Sequence, residues 1–345
     1  MAETDYFRWL TRRTKTAWWH DSAHPPEVAR GLERGAVGAT TNPFLTNLAL
    51  RANRDLWAQE IGEVLSQKPE PERQAELLMR IPVTHTAEKF LPEYERSGGR
   101  QGYVCAQVNP VRAGDREAML PMARRLHGWA PNIAVKLPTT AAGLDVLEEC
   151  AAEGITVAAT VSFTVSQTIA IAERHRQGVR RARAGGLPVG KCFAVMMIGR
   201  LDDYLREVAH DGRAEAGESD IRQSGLAVVK RAYALYRARG YEAVLLVAAM
   251  RGTHHVSELA GAELTLSIAP PFQDQVLAGG LAQEERIEAA VAPDVIARLS
   301  QMPEFVRAYE PEGLRPEEFV SYGVTQRTLS QFADAGWKLM EAFRL

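Results

Sequence analysis

The chain has 345 residues and a mass of 38.0 kDa, with 46% hydrophobic and 24% charged residues, enough apolar material for one large domain or two modest ones. Its 41 basic residues against 43 acidic ones leave a net charge of −2, which argues against a dedicated binder of nucleic acid or of a membrane surface. Three widely spaced cysteines (Cys105, Cys150, Cys192) suit neither a disulfide framework nor a zinc site. The first residues lack the apolar core of a signal peptide, and no run reaches membrane-spanning length, so a cytoplasmic globular protein is expected.

Short apolar runs alternate with helical patterns along most of the chain. Strands are predicted at residues 16–22, 36–42, 102–109, 133–137, 155–163, 191–201, 243–251 and 263–269. Helices are predicted at 44–65, 71–94, 115–129, 139–153, 164–184, 220–239, 253–259 and 271–277, with Gly154 as a stop for the fourth. Eight alternating units point to a (β/α)8 barrel, an α/β fold; the alternative is an open doubly wound sheet. No glycine-rich phosphate fingerprint follows the first strand, which counts against the open sheet. Residues 283–345 read as a helical C-terminal extension broken at Pro303, Pro311 and Pro316. Its last piece, 325–343, is expected to be one helix placing Leu329, Phe332, Ala333, Trp337 and Leu339 over the barrel. The basic run 174–183 reads as a solvated helix face.

Strand alternation places polar side chains at one mouth. In 132–138, Ile133, Val135 and Leu137 take the helix-facing side, which turns Lys136 inward. The same parity turns Thr160 inward from the fifth strand and Gln107 from the third, while Asp21, Asn42 and Arg251 end the first, second and seventh. Only seven residues are lysines, and Lys136 sits among Ala, Val, Leu and Ile, where an ammonium is costly and a neutral nucleophile becomes accessible. The alternatives are a lysine snorkelling from a strand end or paired with Asp21. Lys191 lies at the opposite rim and is the weaker candidate. His20 has the opposite parity to Asp21, so a core histidine is expected there. His254 and His255 either face the mouth or are ordinary polar residues at a helix start. No cluster has metal-ligand spacing.

These residues fall in segments that resemble transaldolases. Gly38-Ala-Thr-Thr-Asn-Pro43 is similar to their GATTNPS segment, and Ile133-Ala-Val-Lys136-Leu-Pro138 with Thr139-Thr-Ala-Ala-Gly143 to their Schiff-base strand and following helix. Thr160-Val-Ser-Phe163 with Gln167, Ile198-Gly-Arg200-Leu-Asp202, Ala248-Ala-Met-Arg251 and Leu264–Pro270 follow in family order, so the resemblance covers about residues 15–341. It implies a (β/α)8 barrel that acts on ketoses through an iminium on Lys136, with Asp21 as acid/base and Thr160 holding a catalytic water. It further implies Asn42 and Ser162 as substrate contacts, Arg200 and Arg251 as phosphate ligands, and no cofactor. The implied partners are a ketose phosphate donor and an aldose acceptor, and a homodimer is expected.

Four positions depart from the pattern. Gln107 stands where transaldolases carry glutamate, as in the related fructose-6-phosphate aldolases; it can orient a water but cannot take its proton. Ala158 replaces an asparagine, and Val195 and Ala249 replace serines; Met197 stands where the small aldolases have tyrosine. A fully hydroxylated sugar would find fewer partners, at about 1–3 kcal/mol per poorly paired buried group, so a changed donor or acceptor and a specialised pathway are expected. Free aldol cleavage and a non-catalytic binding barrel are the competing readings.

Overall fold

The computed structural model describes residues 5–344, and among these residues eight parallel strands close in chain order into a barrel, β8 pairing with β1. The strands are β1 (Ala17–His20), β2 (Gly38–Ala39), β3 (Tyr103–Gln107), β4 (Ile133–Pro138), β5 (Val157–Thr160), β6 (Cys192–Met197), β7 (Val244–Ala248) and β8 (Thr265–Ile268). Helices follow the strands and further helices complete the C-terminal part, so the fold is a (β/α)8 barrel. No described helix is long and apolar enough to cross a membrane.

The inward positions form layers. Trp19, Tyr103 and Phe193 fill the N-terminal end, with Trp19–Phe193 and Tyr103–Phe193 ring centroids 4.6 and 5.6 Å apart. Gly38 is required beside them, since a Cβ there would come within 2.6 Å of the Trp19 indole. Above this aromatic floor lie the small side chains of Cys105, Ala134 and Ala158, all fully buried. Small residues in the middle layer leave room for the long Lys136 side chain above.

Local capping sets the strand-to-helix turns at the mouth. Thr140 accepts from the Gly143 amide to start helix Ala141–Ala152, and Thr164 forms a capping box with Gln167 to start Val165–Ala184. The basic run 174–183 lies on the latter helix. There Arg174 and Arg181 pair with Asp145, Glu148 and Glu149 of the preceding helix.

Several element boundaries differ from the sequence reading. The sixth strand stops at Met197, and helix Ile198–Gly212 begins at once; the unbroken apolar run 193–198 carries no period to mark the change. Gly199 allows that helix to start against the Ala249 carbonyl, where a Cβ would clash. Helices Tyr6–Arg13 and Pro25–Glu33 are additional. The second opens with two prolines, which suit a first turn. The expected helix 44–65 is two, Pro43–Ala52 and Ala58–Ser66, because Asn53 folds its amide back onto the Ala49 carbonyl.

The expected helix 325–343 is Gly323–Phe332, a π-turn over Ala333–Trp337, and Lys338–Glu341. The π-turn coincides with a close backbone approach: a Cβ on Gly336 would lie 2.5 Å from the Pro43 carbonyl carbon. It leaves Phe332, Ala333 and Trp337 buried but turns Leu339 outward, 38% exposed, contrary to expectation. Gln74 secures this segment by donating to the carbonyls of Met340, Glu341 and Phe343.

Candidate active site

A cavity of about 200 Å³ opens at the C-terminal ends of the strands and is lined by Asp21, Asn42, Lys136, Thr160, Arg200 and Arg251 among others. Six of the eight side chains picked from the sequence therefore converge there. Lys136 stands in register with Gln107 on β3 and Ala158 on β5. It is 4% exposed, and its Nζ donates to the Thr41 carbonyl at 3.1 Å. The amine is thus turned into the cavity on a neutral acceptor. It neither snorkels outward nor sits in a contact ion pair with Asp21.

Asp21 follows β1 directly, its amide donating to the Ile268 carbonyl. Its carboxyl is packed round by protein, although the residue keeps a partly exposed face on the cavity. Oδ1 accepts from Thr40 Oγ1 at 2.6 Å, and Thr40 Oγ1 lies 2.5 Å from Ser267 Oγ. Because Thr40 has one proton and gives it to the carboxylate, Ser267 must donate to Thr40. Burial raises the Asp21 carboxyl above its ordinary range, opposed by the Thr40 bond and by the charges of Lys136 and Arg200. A carboxyl so placed, beside the Lys136 amine in one cavity, can take up and return a proton.

The remaining residues divide by how far they are already committed. Thr160 ends β5, fully buried, its hydroxyl 4.0 Å from Met197 Sδ. Gln107 is buried beside Lys136, and its Oε1 has no partner among the described residues. Asn42 caps helix Pro43–Ala52 through Oδ1, leaving its amide NH2 for the cavity. Arg200 lies in the first turn of helix Ile198–Gly212, its guanidinium 5.3 Å from the Phe332 ring centre and in no ion pair among the described residues. Burial and the neighbouring Arg251 lower its proton affinity. Arg251 is spent differently. It pairs with Asp203 at 2.7 Å and donates to the Ala249 and Met250 carbonyls.

Ser162 is buried and donates to the Val195 carbonyl, outside the residues lining the cavity. His20 is a core histidine accepting from Gln273, and burial with Arg30 and Arg34 nearby lowers it to about 4. Neither His254 nor His255 lines the cavity; His255 takes the Arg251 amide on Nδ1 and lies 3.1 Å from Asp202. Lys191 reaches the Arg100 carbonyl.

Two site residues escaped notice in the sequence, Thr40 and Ser267. Thr40 shares the inward parity of Gly38 on β2, and Ser267 that of Thr265 on β8, so alternation alone is a usable signal. The wall facing them is apolar: Val195, Met197, Ala248 and Ala249, with Phe44, Phe272 and Phe332 around the opening.

A family model described as Transaldolase/Fructose-6-phosphate aldolase matches residues 18–334. The chain belongs to this family. Similar proteins include the transaldolase of Neisseria gonorrhoeae, 32% identical over 183 residues that make up 52% of each chain. The transaldolase of Thiobacillus denitrificans is 31% identical over 212 residues, 59% of this chain and 58% of that one. Transaldolase 1 of Streptomyces avermitilis is 28% identical over 234 residues, 63% and 60%. The chain spans about half to three-fifths of the length of these relatives.

Proposed function

We propose that this transaldolase-family barrel transfers a three-carbon ketol unit from a ketose phosphate to an aldehyde through a Schiff base on Lys136. The observation that carries the reading is the buried Lys136 amine sharing one cavity with Asp21 and with Arg200, which has no ion pair among the described residues. The amine attacks the ketose C2, and the carbonyl oxygen leaves as water. Asp21 accepts the C4 hydroxyl proton while the C3–C4 bond breaks, its electrons forming the enamine. The enamine then adds to the acceptor aldehyde, whose oxygen takes the proton back from Asp21, and water releases the product. Arg200 holds the phosphate at the mouth, and the apolar wall narrows the range of sugars toward those of a specialised pathway.

Free aldolase activity is the second reading, favoured by Gln107: its amide can orient a water but not deprotonate it. Product analysis separates the two. With a ketose phosphate and an added aldehyde, a new ketose should accumulate and little free three-carbon ketone. Ketone released at the same rate with and without acceptor would give the site to free cleavage. No consumption of any ketose would leave only a binding barrel.

The Thr40 contact predicts a pH effect. In the cleavage direction Asp21 works ionised, so activity falls on the acid side, with a limb displaced upward by the raised carboxyl. Thr40→Val removes a bond that favours the ionised form and should move that limb further up. The expected loss in kcat/KM is roughly tenfold on the acid side, with little change on the alkaline plateau. A uniform loss at all pH values would mean that Thr40 only supports packing.

A further inference from the structure

A second cavity, of about 440 Å³, lies outside the strand barrel and is more than twice the size of the one around Lys136. The two share no lining residue. Helix Ser224–Arg239, the short helix His254–Ser257 after β7 and the segment 286–292 enclose it. Its volume is that of a small-molecule site.

Three cations, Arg222, Lys230 and Arg286, line this cavity against one carboxylate, Glu258. Glu258 is already shared: it accepts from Arg286 Nε at 2.7 Å and from Lys230 Nζ at 3.2 Å. Glu284 comes within 3.5 Å of Arg286 but is exposed and stands outside the lining. Arg222 has no ion pair among the described residues. Glu218 and Asp220, just before it in the chain, are held at both oxygens by Arg206 and Arg298. Arg222 lies instead 3.4 Å from His254 Nδ1, which must accept, since a guanidinium only donates. Burial, with His255 and Arg222 nearby, lowers His254 to about 4, so a neutral ring faces that guanidinium and leaves its charge unanswered.

The walls are fixed by the protein's own bonds. Lys230, its side chain 10% exposed, gives its three protons to Glu258 and to the carbonyls of Arg286 and Ala289. The amides of Arg286 and Ile287 donate to the Ala260 carbonyl, so the segment is tied from both sides. Leu226 and Val291 add an apolar part to the lining.

We infer that this cavity is a second ligand site, for a phosphate monoester with an apolar body, distinct from the reaction site. The lining holds three positive charges and one negative, an excess of two. A phosphate monoester near neutrality brings about −1.5 to −2, whereas a carboxylate brings only one. The guanidiniums of Arg222 and Arg286 suit phosphoryl oxygens, and the apolar body would cover Leu226 and Val291.

Titration calorimetry with phenyl phosphate, in a phosphate-free buffer, tests this. Arg200→Ala weakens the anion contact of the reaction cavity, so the binding that remains reports the second site. That variant should still bind one phenyl phosphate per chain. Adding Arg222→Ala should weaken it roughly tenfold or more, the loss of one charge-assisted contact, with the melting temperature unchanged. Inorganic phosphate and phenol, the two halves of the probe, should each bind roughly tenfold or more weakly than phenyl phosphate, and Val291→Asp should remove the advantage over inorganic phosphate. No binding in Arg200→Ala, binding there that ignores Arg222→Ala, or an advantage that is missing or survives Val291→Asp would overturn the inference. Borohydride trapping at Lys136 reports on the reaction site alone, so the two readings stand or fall separately.

Discussion

Replacing Lys136 should abolish both chemistry and covalent capture. With a ketose donor and borohydride, the unaltered protein should gain the mass of a three-carbon unit or a whole sugar on the peptide containing Lys136. Lys136→Arg should show none, because a guanidinium stays protonated and cannot attack a carbonyl. Turnover should fall by a factor on the order of 10⁶, as removal of a catalytic nucleophile does in other enzymes. Arginine is bulkier at a position only 4% exposed, so Lys136→Met serves as the packing control: it is unbranched and lacks the amine. Both variants should melt near the parent temperature if the amine is dispensable for folding. Lys191→Arg should keep full labelling, since that residue precedes β6 at the opposite rim and does not line the cavity. Label that persists without Lys136, or that appears on Lys191, would remove the proposed mechanism.

The second large effect separates two arginines that the sequence treats alike. Arg200 has no ion pair among the described residues, whereas Arg251 is held by Asp203 and by two backbone carbonyls. Arg200→Ala should therefore raise KM for a phosphorylated ketose by roughly ten- to a hundredfold, the effect of losing a charge-assisted contact of about 1.5–3 kcal/mol. The unphosphorylated ketose should be affected several-fold at most. Arg251→Ala should cost less, because part of its charge already answers Asp203. Steady-state kinetics on paired substrates, with and without the phosphate, read this directly. A larger loss from Arg251→Ala would move the anion site to the seventh strand's loop and show that Asp203 yields on binding.

Alternation was the strongest signal in the sequence. Ile133, Val135 and Leu137 leave no doubt about which side Lys136 takes, because a parallel barrel buries both faces and only parity separates them. The barrel itself was legible in a different signal, the eight alternating strand and helix units, and the strands do close in chain order. Boundaries were less legible where two elements are both apolar. Residues 193–198 are apolar throughout, with no polar mark at the change from β6 to the next helix, so the sequence predicts a strand that runs on to residue 201. Long-range pairing left no trace either. Arg251 and Asp203 lie 48 positions apart in a chain with 34 arginines, and nothing local tells which carboxylate each will meet. The Thr40–Ser267 contact spans 227 positions and depends on barrel closure. Leu339 was misplaced for a different reason: a π-turn adds a residue to the helical turn and rotates everything after it.

The aromatic floor made by Trp19, Tyr103 and Phe193 closes the barrel from below, so among the described residues Lys136 is reached through the cavity at the mouth. Under the proposed reaction, the aldose released from the donor and the aldehyde that replaces it must pass the same Phe272 and Phe332 side chains and occupy the same seat near Arg200. The first has to depart before the second arrives, while the three-carbon unit waits on the lysine. Every acceptor is then also a rival of the donor for the empty enzyme. In a mixture of phosphorylated aldehydes, their relative abundance decides which ketose is made, so the surrounding metabolite pool, as much as the protein, sets the direction of flow.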